Sequence, residues 1–260
     1  MIFLRVASYA FRRQAAYRAA AASGVLTNTV FGVVRAYVLI ALWQARPSLG
    51  GYHVADAVAY CFLTQALIGP VNIFAGGLDL VERIRTGDVA IDLHRPVDLQ
   101  AWWLADDLGR AAFALLFRGG APLLFGVFAF RLPVPGPLVW LEFLLSVLLA
   151  VLVSFGLRYL VTLLVFWLHD DRGIRSVAFI ASMFFSGMVL PLVVFPGWLG
   201  GLSRVLPWAA LIQVPADVFL GKGPDLLDAY ALQVVWAVTL IGGGRLLTRA
   251  TRRKLVIHGG

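Results

Sequence analysis

From Pro137 to Leu168 the chain carries only two charged side chains, Glu142 and Arg158. As a helix this stretch would run about 48 Å, at 1.5 Å per residue. A bilayer's hydrocarbon core is about 30 Å thick and takes about 20 apolar residues to cross. The stretch must therefore tilt, kink or project into water, and Gly156 is where a bend is expected. A soluble fold would have to hide such runs in its core, and the chain has only 260 residues to do it with. Charged residues make up 14% of the chain, against about 25% in soluble domains.

Five further runs are long and apolar enough to read as spans, near 24–45, 54–78, 108–130, 174–195 and 226–248. With the run at 137–168 they predict an all-α integral membrane protein of six transmembrane helices, a single membrane domain over residues 1–260. Arginine and lysine placement sets the orientation. With both termini in the cytoplasm, fifteen basic residues fall inside, and Arg46, Arg131, Arg204 and Lys222 fall outside. Arg35, Arg118 and Arg158 fall within spans.

The first 20 residues read as an interfacial helix. Phe3, Leu4, Ala7 and Phe11 share one side of a helical wheel, with Arg5, Arg12 and Arg13 roughly opposite. The arginines interrupt any apolar core of the kind a cleavable signal needs. Net charge is +8, but the basic residues flank apolar runs, which is a membrane pattern and not a nucleic-acid one. The lone Cys61 excludes an internal disulfide and a cysteine-based zinc site. Residues 196–223 are apolar but cut by Pro196, Pro207 and Pro215. They read as short helices dipping into the outer leaflet before the last span, the alternative being an ordinary outside loop.

Half of the acidic residues crowd between Asp79 and Arg110, while the first 55 residues have none. This stretch, 79–107, follows the second span on the cytoplasmic side. Gly87 in "RTGD" can stop a helix, the residue before Pro96 avoids helix, and Asp98 can cap a new helix. Helix, turn, helix with charges of both signs is the composition of a surface built to dock on a protein. A solvated linker is the alternative reading.

"ERIRTGDVAIDLHRPVDLQAWWLADDLGRA" resembles the signature of the type-2 ABC transporter permeases, in particular a bacterial branch with a charged segment after the second span. His94 stands where that pattern has an apolar residue. The resemblance implies a subunit of an ATP-driven exporter in the bacterial cytoplasmic (inner) membrane, working as a dimer with the same or a homologous chain. Each half would carry a separate ATPase subunit, which binds the ATP and Mg. By the same match Glu82, Arg83, Arg85, Asp88, Asp92, Arg95, Pro96 and Asp98 would contact that ATPase.

No phosphate-binding loop for ATP is present: in "FLGKGPD" Gly223 follows Lys222 where Ser or Thr is required. His169-Asp170-Asp171 reads as a polar turn, since three adjacent side chains cannot all face one ion. Asp106-Asp107 invites the reading of a metal-dependent membrane transferase, which needs several carboxylates at helical spacing; Asp79 and Glu82 are three apart, but no further acid continues that face before Gly87. An ion-driven secondary transporter would want acids or broken helices at mid-bilayer, and the spans hold almost no acid away from their ends. Arg35 and Arg158 either line a translocation path or pair between helices. Gly32 and Ala36 make the first span the expected permease–permease contact. Phe184, Phe185, Trp167 and Trp236 fit a hydrophobic cargo and fit ordinary packing equally well.

Overall fold

The computed structural model describes residues 2–74, 77–94, 96–166, 168 and 172–258, with side chains as far as Thr251. Every regular element among the described residues is helical. In chain order these are α1 (Ile2–Ala16), α2 (Arg18–Ala45), α3 (Val54–Val71), α4 (Leu80–Thr86), α5 (Val89–His94), α6 (Leu99–Phe113), α7 (Gly120–Phe130), α8 (Pro137–Leu164), α9 (Arg172–Phe185), α10 (Gly197–Val205), α11 (Gln213–Leu220) and α12 (Leu226–His258). A π-helical turn, Ala114–Gly119, joins α6 and α7 into one rod from Leu99 to Phe130.

Five of these units are long and apolar enough to cross a membrane: α2, α3, the α6–α7 rod, α8 and α12. The run expected to cross at 174–195 is not a spanning helix. α9 has 14 residues, about 21 Å of helix, and the chain unwinds through Gly187, whose φ is +84°. Unwound backbone survives among apolar helices only where other groups satisfy it. Here Tyr60, Arg35 and Gln213 do so. That arrangement is tertiary, so hydropathy does not register it.

α3 is the central element, buried along most of its length. α2 reaches it through small residues: a Cβ on Gly32 would stand 3.0 Å from the Phe62 ring, and Ala36 is fully buried. The Gly32–Ala36 pair is thus spent on α3 and is not free for a second permease. The rod comes closer still, where a Cβ on Gly119 would meet the Ala66 carbonyl oxygen at 2.4 Å.

α8 and α12 run side by side in the same direction, joined by Ser146 to Gln233 at 3.0 Å and by Tyr159 to Thr248 at 2.8 Å. Gly156 is a contact and not a bend. α8 continues unbroken past it, and a Cβ there would stand 2.6 Å from Cβ of Leu240.

α1 is shorter than the first 20 residues, ending where Tyr17 leaves helical geometry. It lies along α6, burying Val6 and Ala10. A Cβ on Gly109 would stand 2.0 Å from the Ala7 carbonyl oxygen, so the helices touch backbone to backbone. Phe11 packs edge-on to Phe113 at 5.6 Å, while Phe3 and Leu4 stay exposed. The face that the wheel assigned to the membrane surface is thus divided, Ala7 and Phe11 lying against α6 and Phe3 and Leu4 staying exposed.

Candidate functional site

The charged stretch folds into an elbow. α4 ends at Gly87, whose φ of +83° is open to glycine. α5 follows, and Asp98 caps α6 by accepting from the Ala101 amide at 2.7 Å. The boundary at 107 moves accordingly, because residues from Leu99 onward belong to the long rod. Leu80, Val89 and Leu99 are buried together with Phe155, Tyr159 and Leu163 of α8. The elbow is thus seated on the end of α8, which a loose solvated linker would not be.

The sequence-predicted contact residues divide by what they touch. Arg83 grips both carboxylate oxygens of Asp92, Nη2 to Oδ1 at 2.9 Å and Nε to Oδ2. This fork clips α4 to α5, and its hydrogen bonds raise the Arg83 pKa above the ordinary guanidinium value. Asp98 is used as the helix cap. Glu82, Arg85, Asp88 and Pro96 are exposed, together with Ile91 at the tip of α5, 58% exposed. Arg95, Trp167 and His169–Asp171 lie outside the described residues. A cleft of about 540 Å³ separates the elbow from α1, lined by Arg5, Tyr9, Asp79, Arg83, Trp102 and Trp103 among others.

Beneath the elbow lies an ionic knot that spacing along the chain does not reveal. Arg158 of α8 meets Asp107 of α6 with two hydrogen bonds, at 3.1 and 2.6 Å. Arg110 bonds the same carboxylate at 2.9 Å and donates to the Gly69 and Pro70 carbonyls at 2.8 Å each. Ser154 donates to the Val71 carbonyl and accepts from Arg158 Nε at 3.1 Å. Asp107 and Arg158 are 4% and 7% exposed. The side chains carry one net positive charge, and they sit on the C-terminus of α3, where free carbonyls and the helix dipole favour a cation. Arg13 of α1 joins the periphery through Asp106, at 3.0 Å.

Asn72 takes the left-handed conformation that ends α3, and the Leu78 amide donates to Thr162 of α8 at 2.9 Å. The signal in the sequence was two arginines and one acid inside apolar runs. The partners lie 51 residues apart, beyond the reach of any local pattern.

A second polar cluster lies at the other end of α3. Arg35 donates to Thr64 at 3.0 Å and to the Met188 and Val189 carbonyls, the latter at 3.0 Å. Tyr60 donates to the Gly187 carbonyl at 2.7 Å, and the Leu192 amide donates to Gln213 at 2.8 Å. Gln213 and Tyr52 both donate to the buried Asp217. Burial pushes the Asp217 carboxyl up to about 6, against these hydrogen bonds, which pull it down. Both intramembrane arginines that the sequence singled out thus hold other elements of the same chain. Asp217, Gln213, Tyr52 and Tyr60 carried no signal, being single polar residues in apolar runs.

Among the described residues no cluster of three or more His, Cys, Asp or Glu could hold a metal ion. A comparison with curated proteins finds no significant match. A family model described as "ABC-2 family transporter protein" matches residues 31–259, which takes in all of the chain from mid-α2 onward, elbow and knot included. The chain belongs to that family: it is a type-2 ABC transporter permease, a membrane component of an ABC transporter.

Proposed function

We propose that the chain is the permease subunit of an ATP-driven exporter, coupled through the α4–α5 elbow to a separate ATPase that binds ATP and Mg. In this reading it lies in the bacterial inner membrane with both termini cytoplasmic and pairs with a second permease, same or homologous. α9 and the unwound residues after it make the sixth crossing. The parallel course of α8 and α12 supports this, since the chain must return between them. The elbow is the surface offered to the ATPase, with Glu82, Arg85, Asp88 and Pro96 exposed on it. Arg83 and Asp92 keep its shape.

The observation that carries the reading is the knot. The elbow is seated on α8, and Arg158 of α8 is tied through Asp107 and Arg110 of α6 to the C-terminus of α3, so that a shift of the elbow is passed on to three spans. Push from a closing ATPase pair would therefore reach the bundle as a rigid displacement. The unwound stretch after α9 has the form of a secondary transporter's ion site. Its Gly187, Met188 and Val189 carbonyls are instead occupied by Tyr60 and Arg35.

The test is a double charge reversal, Arg85→Glu with Asp88→Arg, in the assembled transporter. Insertion and abundance should be unchanged while transport-linked ATP hydrolysis falls at least about tenfold, the loss of one or two interface charge contacts. Unchanged hydrolysis and unchanged transport in that variant would remove the elbow from the interface.

A further inference from the structure

Arg118 lies in the π turn of the α6–α7 rod. Its Nε is buried and has no hydrogen-bond partner among the described residues. From Ala111 to Phe130 the rod holds no acidic residue, and α2, which lies against it, holds none either. The guanidinium rests on Gly24 of α2, where a Cβ would stand 2.7 Å from both Nε and Nη2. Any larger residue at 24 would claim the space that the guanidinium occupies. A guanidinium among apolar helices without a counter-charge is strongly unfavourable, so this one calls for an anion from outside the chain.

Helix geometry gives its depth. One hydrocarbon thickness, about 20 residues, counted back from Phe130 reaches Ala111. Arg118 then enters about 10 Å beyond that boundary. A helical side chain leans toward its helix N-terminus, so the long arginine returns most of that distance. Gly24, on which the head rests, stands where the apolar run of α2 near 24–45 begins, and so at the same edge. The head therefore reaches the polar edge of the leaflet on the α1 side. Leu116 and Phe117 beside it are exposed, an apolar wall next to an unpaired cation. A π turn, by adding a residue to the helical cycle, alters which way the following side chains face, and this one coincides with the arginine.

We propose that Arg118, Gly24 and the π turn form a binding site for the phosphate of an anionic phospholipid, with its acyl chains on Leu116 and Phe117. The planar guanidinium suits a phosphate with two parallel hydrogen bonds. The site requires that the chain span a bilayer. It does not require the elbow to bind an ATPase, so either proposal can fail alone.

The test is native mass spectrometry of the full chain in mild detergent, titrated with phosphatidylglycerol or with diacylglycerol of the same acyl chains. The wild type should retain phosphatidylglycerol and not diacylglycerol. Arg118→Gln should retain about tenfold less phosphatidylglycerol, the loss of one charge-assisted contact, and Arg118→Lys should fall between. Gly24→Leu, with the arginine intact, should lose the lipid as well. Thermal unfolding of each variant separates lost lipid from lost fold, and Arg118→Gln removes a charge from an apolar run, so it should fold. Equal retention by wild type and Arg118→Gln, or equal retention of diacylglycerol, would overturn the proposal. Displacement of the lipid by excess inorganic phosphate would overturn it too, by showing a site for free anions.

Discussion

Asp107 is the residue on which the inner end of the bundle depends. It is the shared acceptor for Arg110 and Arg158. Replacing it with Asn leaves two guanidinium groups with no carboxylate in a nearly dry site, which costs about 3–5 kcal/mol. Thermal unfolding in detergent should show that loss, and Asp107→Asn with Arg158→Gln should lose less than the two singles added together, because the pair is coupled. Asp217 predicts a pH effect of unusual sign. Burial holds its folded pKa at about 6, above the ordinary carboxylate value of 3.8, so the native state binds the proton more tightly than the unfolded chain. Its contribution is complete below about pH 4 and is lost as pH rises through 6. Stability should therefore decline between pH 4 and pH 7 by a component that Asp217→Asn lacks, on the order of 2–3 kcal/mol. A pH profile identical in both proteins would contradict the burial argument. Neither acid's role was legible in the sequence. Asp107 was visible only as half of an Asp-Asp pair and Asp217 as one acid in an apolar loop, because what defines them is contact across the fold.

Among the helices, the ends written by local chemistry were legible and those written by packing were not. Gly87 ends α4 and Asp98 caps α6, each acting on nearby backbone, where the sequence placed those breaks, while the Pro96 turn rests on Arg95, outside the described residues. α6 starts at Leu99 because Asp98 caps it, yet nothing in the sequence says that this helix and the third span are one rod. α9 stops early because Arg35, Tyr60 and Gln213 offer its backbone better partners than the next helical turn would. Glycines misled for the same reason. Gly156 suggested a bend and Gly32 an external contact, but both make room for a neighbouring helix. The same logic predicts the effect of Gly109→Ala. Its Cβ would overlap the Ala7 backbone, which cannot yield as a side chain end could, so α1 should lift from α6. Trypsin cleavage after Arg12 and Arg13 should accelerate. Gly242→Ala, in α12 with open space around it, should leave cleavage unchanged and stabilise the helix by up to about 1 kcal/mol.

For the whole molecule, the membrane class followed from composition and the family from one charged segment. What the structure adds is the mechanical link between them. The elbow is clipped by Arg83 and Asp92, seated on α8 by Leu80, Val89 and Leu99, and joined through the knot to the end of α3. A cleft beside α1 leaves it open on one side. Under the proposed function a partner ATPase presses on this surface. The most direct measurement is mild-detergent co-purification of the tagged full chain from its native membranes, with partners identified by mass spectrometry. An ATPase subunit in near-stoichiometric amount is the expected result, accompanied by a second permease chain if the pair is heteromeric and lost when Arg85 and Asp88 are reversed together. Recovery of the chain without any ATPase, under conditions in which other ABC complexes stay intact, would contradict the coupling role of the elbow.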